Sequence, residues 1–304
     1  MLFVNIRLLI LFVMTLPALT GGAPAAQPPA PPDAKILRDI PYVTGGHERQ
    51  KLDLYLPKKK SGRPLPLIVW VHGGGWRGSD KGRCLPAANG FTARGYAVAS
   101  IGYRLSDTAV FPAQLEDCKA AIRWLRAHAT SHDIDPDRIA AWGSSAGGHL
   151  VALLGTTGDT RAFDTGENLD FSSGVQAVVD YYGPTDFCDR SLLKEKPSLG
   201  GPESAESRLI GAAVRDNPEK AAAASPVTYV TKSDAAFFIV HGTDDPVVPI
   251  SQSRRLDAAL RKAGVFSKLK VIEGAAHGGP EYAARGLLDE VDAFLTAQLK
   301  PSAR

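Results

Sequence analysis

The chain has 304 residues, 35 Lys and Arg against 32 Asp and Glu, and a net charge of +3 with 44% hydrophobic residues. Its charges are scattered, with only PKKK and SRR as short basic runs, which argues against a nucleic-acid-binding surface. Three cysteines, Cys84, Cys118 and Cys188, form neither a CxxC pair nor a Cys/His cluster, so no metal or cofactor is called for and at most one internal disulfide can form.

Residues 1–20, MLFVNIRLLILFVMTLPALT, place one cation, Arg7, before an apolar run from Leu8 to Leu16 that ends at Pro17. The run is shorter than the roughly 20 residues a membrane span needs. Small residues follow, with Ala23-Pro24-Ala25 offering a cleavage site, so residues 1–25 are expected to be a secretory signal peptide. The expected location is secreted or periplasmic, without stable membrane association once the signal is removed. Residues 26–34 are proline-rich and read as an extended linker. From residue 35 to 304 the chain is long enough for one domain with a substantial core.

Strands are predicted near Ile36–Val43 and Lys51–Leu56, the second alternating Leu52, Leu54 and Leu56 as a half-buried strand does. PLIVWVHG, residues 66–73, is continuously apolar and fits a strand covered on both faces. A helix is predicted over Arg83–Arg94, then the buried strand GYAVASIGYR, then an amphipathic helix over FPAQLEDCKAAIRWLRAHA. In that helix Cys118 shares a face with Leu115, Ile122 and Leu125, the position of a core thiol. The strand RIAAWG and the helix SAGGHLVALLGTTG flank a turn at Ser145. Buried strands GVQAVVDYYG and AAFFIVHG, a last strand KLKVIEG, and helices over Ser251–Ala263 and Glu281–Leu299 complete the alternation. Alternating strands and helices imply an α/β fold, a mostly parallel central sheet with helices on both faces. One interval, about residues 187–233, lacks a buried strand and reads as a small helical cap insertion.

Gly143-Ser144-Ser145-Ala146-Gly147 is a G-x-S-x-G centred on Ser145. In a nucleophile elbow the residues two before and two after the serine press together, so only small ones fit. Centring on Ser144 would put Trp142 there, so Ser145 is the candidate nucleophile and Ser144 an elbow residue. A serine hydroxyl needs a base, the base needs an orienting carboxylate, and the oxyanion formed needs fixed N–H donors. VHGGGWRG, residues 71–78, follows a buried strand, and its glycines let backbone N–H groups approach a ligand; Gly73, Gly74 and the amide of Ala146 are the candidate donors. A phosphate cradle is disfavoured, because no Lys-Ser/Thr pair follows at P-loop spacing.

Of seven histidines, His47, His128 and His132 fall in turns or at a helix end, His72 braces the glycine loop, His149 lies one helical turn past Ser145, and His241 ends a strand. His277, in EGAAHGGP after the final strand, alone follows every candidate acid in the order nucleophile, acid, base. For the acid the residues leave Asp244 and Asp245 of VHGTDDPVVP open, with Asp186 of GPTDF as an outsider.

Taken together, WVHGGGWRGSDK, FPAQLEDCKAAIRWLRAHA, DIDPDRIAAWGSSAGGHL, YYGPTDF and HGTDDPVVPISQS resemble the α/β-hydrolase branch of bacterial feruloyl- and acetyl-esterase-like enzymes, related to hormone-sensitive-lipase-type esterases. The resemblance runs from about Leu52 to Leu299. It implies that Asp245, in H-G-x-x-D-x-x-V-P, is the acid, and that His277 is the base. Ala276 stands where glycine is common in the family. The resemblance also implies a serine carboxylic-ester hydrolase acting on short-chain, acetyl or feruloyl esters, often on carbohydrates, as small molecules or polysaccharides. Trp76 and Tyr103, near strand ends, are candidates either to line the substrate pocket or to pack in the core. The rival readings are a lipase-like esterase or a peptidase on this fold, and a non-catalytic binding protein. A peptidase usually carries a large extra domain, and a binding protein typically loses the serine or the histidine.

Overall fold

The computed structural model describes residues 31–59 and 61–299. The predicted signal peptide, residues 1–25, and most of the predicted linker lie outside the described residues. Pro31 to Ala34 are not a free tether: the Ala34 amide donates to the Pro31 carbonyl, Lys58 Nζ donates to Pro32 O (2.7 Å), and Thr92 Oγ1 donates to the Asp33 carboxylate (2.5 Å).

Eight strands form one sheet in the order β1-β2-β4-β3-β5-β6-β7-β8. They are β1 (Ala34–Pro41), β2 (Lys51–Pro57), β3 (Leu65–Val71), β4 (Ala97–Ile101), β5 (Ile134–Ser144), β6 (Ala177–Tyr181), β7 (Ala236–Gly242) and β8 (Ser267–Ile272). β1 and β2 are antiparallel additions at one edge, and β2 meets β4 antiparallel; every other pairing is parallel. The period of two along each strand sends alternate side chains to opposite layers. Leu67, Val69 and Val71 of β3 enter one apolar cluster, while Ile68 and Trp70 enter the other. Because both layers are covered, these strands read as unbroken apolar runs rather than alternating ones.

Helices α2 (Ala113–Ala127), α3 (Ala146–Thr156) and α7 (Ser251–Lys262) cover the first layer, and α1 (Leu85–Ala88) and α8 (Arg285–Gln298) the second. The helix predicted over Arg83–Arg94 is only the single turn of α1. Asn89 ends it, and Gly90 follows at φ +73°, a left-handed conformation that stops a helix. The interval read as a cap holds three short helices, α4 (Arg190–Glu195), α5 (Ala205–Ile210) and α6 (Pro218–Ala223), joined by 3-10 turns. Ser204 caps α5 by accepting the Ser207 amide (3.0 Å), and Gly211 at φ +66° ends it. Leu209, Ile210, Val214 and Ala221 of this segment join the first apolar cluster.

The strand order fixes where a site can form. The chain moves outward from β3 to β4, then returns to β5 on the other side of β3. The carboxyl ends of β3 and β5 therefore flank a switch point, the usual ligand crevice of an open parallel sheet. The loop after β3 is the glycine loop, and the turn after β5 holds Ser145. Among the described residues, no helix is long and apolar enough to cross a membrane. All three cysteines are free; Cys84 and Cys118 are buried, and Cys188 is exposed.

One buried ionic cluster pins the long loop after α3. Asp164 meets Arg123 (3.1 Å) and Lys119 (3.6 Å), both with fully buried side chains. Lys119 also donates to the Thr157 and Thr160 carbonyls, and Arg123 to the Glu167 carbonyl. Removing one member of a buried charge cluster leaves uncompensated charge in a low dielectric. Asp164→Ala is therefore expected to lower unfolding free energy by about 3 kcal/mol, measured by urea denaturation, whereas an exposed pair such as Lys268–Glu290 should change it by less than about 1 kcal/mol on removal.

Candidate active site

Ser145 stands between β5 and α3 with φ 56° and ψ −123°, a conformation that costs an L-residue energy and turns its side chain away from both elements. Its neighbours permit this because they lack side chains. A Cβ on Gly143 would lie 2.3 Å from the Gly147 carbonyl oxygen, and one on Gly147 would lie 2.1 Å from that of Val71. The Ser145 amide donates to Tyr181 O (2.8 Å), and its carbonyl accepts from the His149 amide (3.0 Å), so both ends of the strained residue are tied.

Three predicted residues meet here. His277 Nε2 lies 2.8 Å from Ser145 Oγ, and His277 Nδ1 lies 2.7 Å from Asp245 Oδ2. The other carboxylate oxygen, Oδ1, accepts from the Val247 and Val248 amides, each at 2.8 Å. Burial by itself would raise the pKa of Asp245. Hydrogen bonds from His241, from His277 and from the Val248 amide overcome it and hold the carboxyl well below its ordinary value. An ionised Asp245 can only accept, so Nδ1 of His277 carries the proton and Nε2 is left as an acceptor for the serine hydroxyl. The Tyr182 ring packs edge-on to His277, with centroids 4.7 Å apart.

The other candidates for the acid sit elsewhere. Asp244 is exposed, accepts from the Thr243 hydroxyl (3.0 Å) and makes a turn. Asp186 accepts from the Cys188 amide and lies 3.4 Å from Arg255, away from His277.

The glycine loop lies directly against the elbow. A Cβ on Gly73 would sit 2.7 Å from Ser144 O and 3.3 Å from Ser145 Cβ, so only glycine lets this backbone reach the nucleophile. Gly74 follows at φ +112°, where a side chain would meet Gly78 O at 2.4 Å. Gly75 (φ +60°) and Trp76 (φ +56°) continue the left-handed run. Ala146 is the first residue of α3, so its amide is one of the N–H groups that no helical carbonyl accepts. Gly73, Gly74 and Ala146 thus bring main-chain donors to one side of Ser145.

Trp76 and Tyr103, candidates for a pocket wall, are buried instead, and their place is in the packing behind the loop. Tyr103 stacks on His72 (centroids 4.4 Å apart) and donates its hydroxyl to His72 O (2.9 Å). His72 Nδ1 in turn donates to Gly73 O (2.7 Å), so His72 braces the loop. Trp76 packs edge-on to His149 (5.0 Å) and to Phe187 (5.9 Å), joining the loop to α3 and to the segment leading into the cap. Two further residues at the site were not among the candidates read from the sequence. Asp180, in the interior of β6, is fully buried and accepts the Gly183 amide (2.9 Å) beneath the elbow helix; burial raises it to about 6. His241 approaches Asp245 at 3.3 Å; an H-G-x-x-D pattern, which puts an imidazole four residues before the acid, was its only trace.

The BD-FAE family model matches residues 52–260. The chain belongs to the BD-FAE family. Esterase LipQ of Mycobacterium tuberculosis is 37% identical to it over 231 residues, covering 74% of this chain and 53% of LipQ. The chain thus spans about half the length of that relative. A truncated carbohydrate esterase from gut microbiota superposes with a TM-score of 0.81 at 30% identity, over 88% of this chain and 98% of the other. A thermophilic esterase from Thermogutta terrifontis does so with a TM-score of 0.70 at 28% identity, over 90% and 96%; the same enzyme has been solved phosphorylated by paraoxon. The BD-FAE chain described here has the α/β-hydrolase fold of these esterases.

The buried imidazoles make a stability test of the site. Burial lowers His72 and His149 to about 4 from an ordinary 6.5, so both are neutral in the fold. Between pH 6.5 and 4 the unfolded chain binds protons that the folded chain refuses, and each histidine therefore loses stability as pH falls through that window. His149 Nε2 donates to Ala224 O (2.6 Å), a bond that a glutamine amide can replace. His149→Gln is expected to gain stability relative to the wild type as pH falls from 6.5 to 4, and to show no further relative change above 7, measured by denaturant unfolding at each pH.

Proposed function

We propose that this protein is a serine carboxylic-ester hydrolase working through an acyl-enzyme, with Ser145 as nucleophile, His277 as base and Asp245 as orienting acid. The observation that carries the reading is the unbroken hydrogen-bond chain from Ser145 through His277 to Asp245, set on a left-handed elbow beside a glycine loop. Ser145 Oγ attacks the ester carbonyl as its proton passes to His277 Nε2. The new negative charge on the carbonyl oxygen is met by the main-chain N–H groups of Gly73, Gly74 and Ala146. Collapse of the tetrahedral adduct expels the alcohol, which takes the proton from Nε2 and leaves the acyl group on Ser145. Water, deprotonated by the same nitrogen, then attacks the acyl-enzyme; the second tetrahedral adduct collapses, Ser145 Oγ takes the proton back from Nε2, and the acid leaves. Asp245 stays ionised throughout and stabilises the imidazolium that forms between steps.

The substrates proposed are short-chain, acetyl or feruloyl esters of carbohydrates, presented as small molecules or on polysaccharides. Support for this comes from the carbohydrate esterase whose fold the chain matches over most of both lengths. Reaction of the Thermogutta terrifontis esterase with paraoxon supports an activated serine. An exported enzyme suits such polymers, and the apolar run Leu8–Leu16 before small residues supports export to a periplasmic or extracellular place.

The test is hydrolysis of a matched panel, namely acetyl, feruloyl and octanoyl esters, an acetylated xylan and a prolyl amide, by wild type and Ser145→Ala. The expected result is turnover of acetyl or feruloyl esters, with kcat reduced by at least about 10³-fold in the variant, and none of the amide. Equal activity in the variant would remove Ser145 as nucleophile. Preference for octanoyl esters would turn the reading toward a lipase-like enzyme, and cleavage of the amide toward a peptidase.

A further inference from the structure

We infer that His241 is a positioning residue for the acid: it holds the Asp245 carboxylate in the plane His277 needs, through a tautomer fixed by the surrounding fold. The inference rests on the proposed serine-hydrolase reading.

His241 is the penultimate residue of β7 and is fully buried. Its Nε2 lies 2.8 Å from the Val248 carbonyl oxygen and 3.3 Å from Asp245 Oδ2. A carbonyl can only accept, so Nε2 must carry a proton, and that N–H is shared between Val248 O and the carboxylate. Its Nδ1 lies 2.7 Å from Ser253 Oγ on α7, which is likewise fully buried. The hydrogen-bonded contacts thus run from Ser253 on α7 through His241 on β7 to the acid loop.

The consequence for Asp245 is geometric. The Val247 and Val248 amides grip only Oδ1. A carboxylate held at one oxygen can still turn about its own axis and carry the other oxygen away from His277. Oδ2 is the oxygen that His277 Nδ1 contacts at 2.7 Å, and His241 is the second donor to that same atom. The two imidazoles approach it from different places, His241 from β7 and His277 from the loop after β8, with the Tyr182 ring against both, at 4.7 Å from His277 and 6.3 Å from His241. His241 also binds the carbonyl of Val248, whose amide grips Oδ1, so one side chain sets both ends of the carboxylate. The titratable groups facing it are Asp245 on its own loop, His277 after β8, and Asp180 and Tyr182 at the end of β6. Asp180 acts on it only through space: its Oδ1 accepts the Gly183 amide and its Oδ2 makes no hydrogen bond to the ring. From α7, Ser253 faces it and carries no charge.

A donor on Oδ2 also draws electron density from the oxygen that attracts the His277 proton. Removing it should make Oδ2 more basic and hold the imidazolium more strongly. The acidic limb of the activity profile would then move to higher pH, while the turn of the carboxylate lowers turnover.

The experiment compares His241→Ala, His241→Gln and Ser253→Ala with wild type and Ser145→Ala on the best ester of the panel, with thermal unfolding of each. His241→Ala is expected to lose about tenfold in kcat, within the range typical for partners of a catalytic group, with KM changed less than about twofold. Its acidic limb in kcat/KM should rise by about half a pH unit. The low-field proton resonance of His277 Nδ1–H should shift in the same variant. His241→Gln, whose amide nitrogen can stand where Nε2 stood, should recover most of kcat and the wild-type limb. Ser253→Ala should fall between. A purely structural role for His241 predicts lowered Tm with kcat per folded enzyme and pH limb unchanged, and that result overturns the inference; so does a Gln variant as impaired as Ala. Should the Ala variant not fold, the Gln and Ser253→Ala profiles decide alone. Undiminished activity of Ser145→Ala would overturn the serine-hydrolase reading itself, whereas an inactive Ser145→Ala beside wild-type-like His241 variants would overturn only the role of His241.

Discussion

The architecture depends on a single strained residue. Ser145 occupies a left-handed backbone conformation at the end of the central strand β5, and the chain must reverse there within one residue to start α3. That strain persists only because the surroundings leave no alternative. Val71 and His72 of the neighbouring strand end press on Gly147, while Gly143 and Gly147 press on each other. Each contact is backbone against backbone, so none can relax by a side-chain rotation. The three glycines closest to the nucleophile, Gly143, Gly147 and Gly73, are thus a steric requirement of one turn, and the oxyanion loop and elbow are fitted to each other before any ligand arrives.

Around that turn the sheet works as a positioning frame. The parallel strands are registered so that their carboxyl ends lie side by side, and the loops leaving β3, β5, β7 and β8 supply the glycine loop, Ser145, Asp245 and His277 respectively. Reach is therefore set by strand register rather than by long flexible side chains. The buried histidines extend this frame. His72 clamps the glycine loop, His149 ties α3 to the cap through Ala224 O, and His241 ties β7 to the acid loop through Val248 O. Each uses one ring nitrogen to hold a main-chain carbonyl. Burial keeps His72 and His149 neutral, which lets them act as fixed hydrogen-bonding wedges rather than as charges competing with His277.

How far the sequence discloses this differs by the kind of constraint. Ser145 was readable because a steric rule separates it from Ser144: Trp142 cannot occupy the position that Gly143 fills. His277 was readable from chain order. Asp245 was not separable from Asp244 by residue type, because what distinguishes them is burial and the amides of Val247 and Val248, which only the folded loop displays. The buried strands were plain from their apolar runs, but the helix expected over Arg83–Arg94 was overextended through Asn89-Gly90, where a local helix stop outweighed the surrounding pattern. For Trp76 and Tyr103 the residues left a pocket wall and core packing open, and the structure buries both. Proximity to a strand end is visible in the sequence, whereas the side of the loop an aromatic ring takes depends on His72, His149 and Phe187, which come from distant parts of the chain.

Residues 187–233 are joined to the same machinery through the first apolar cluster and through specific contacts. The Phe111 amide, just before α2, donates to Leu209 O (2.7 Å) near the end of α5. Phe187 stacks on His149, one turn beyond the nucleophile, with centroids 5.1 Å apart. A shift of Phe187 would therefore be felt at the root of α3. Ser145, His277 and Asp245 owe their relative geometry to the ends of β5, β7 and β8 rather than to residues 187–233.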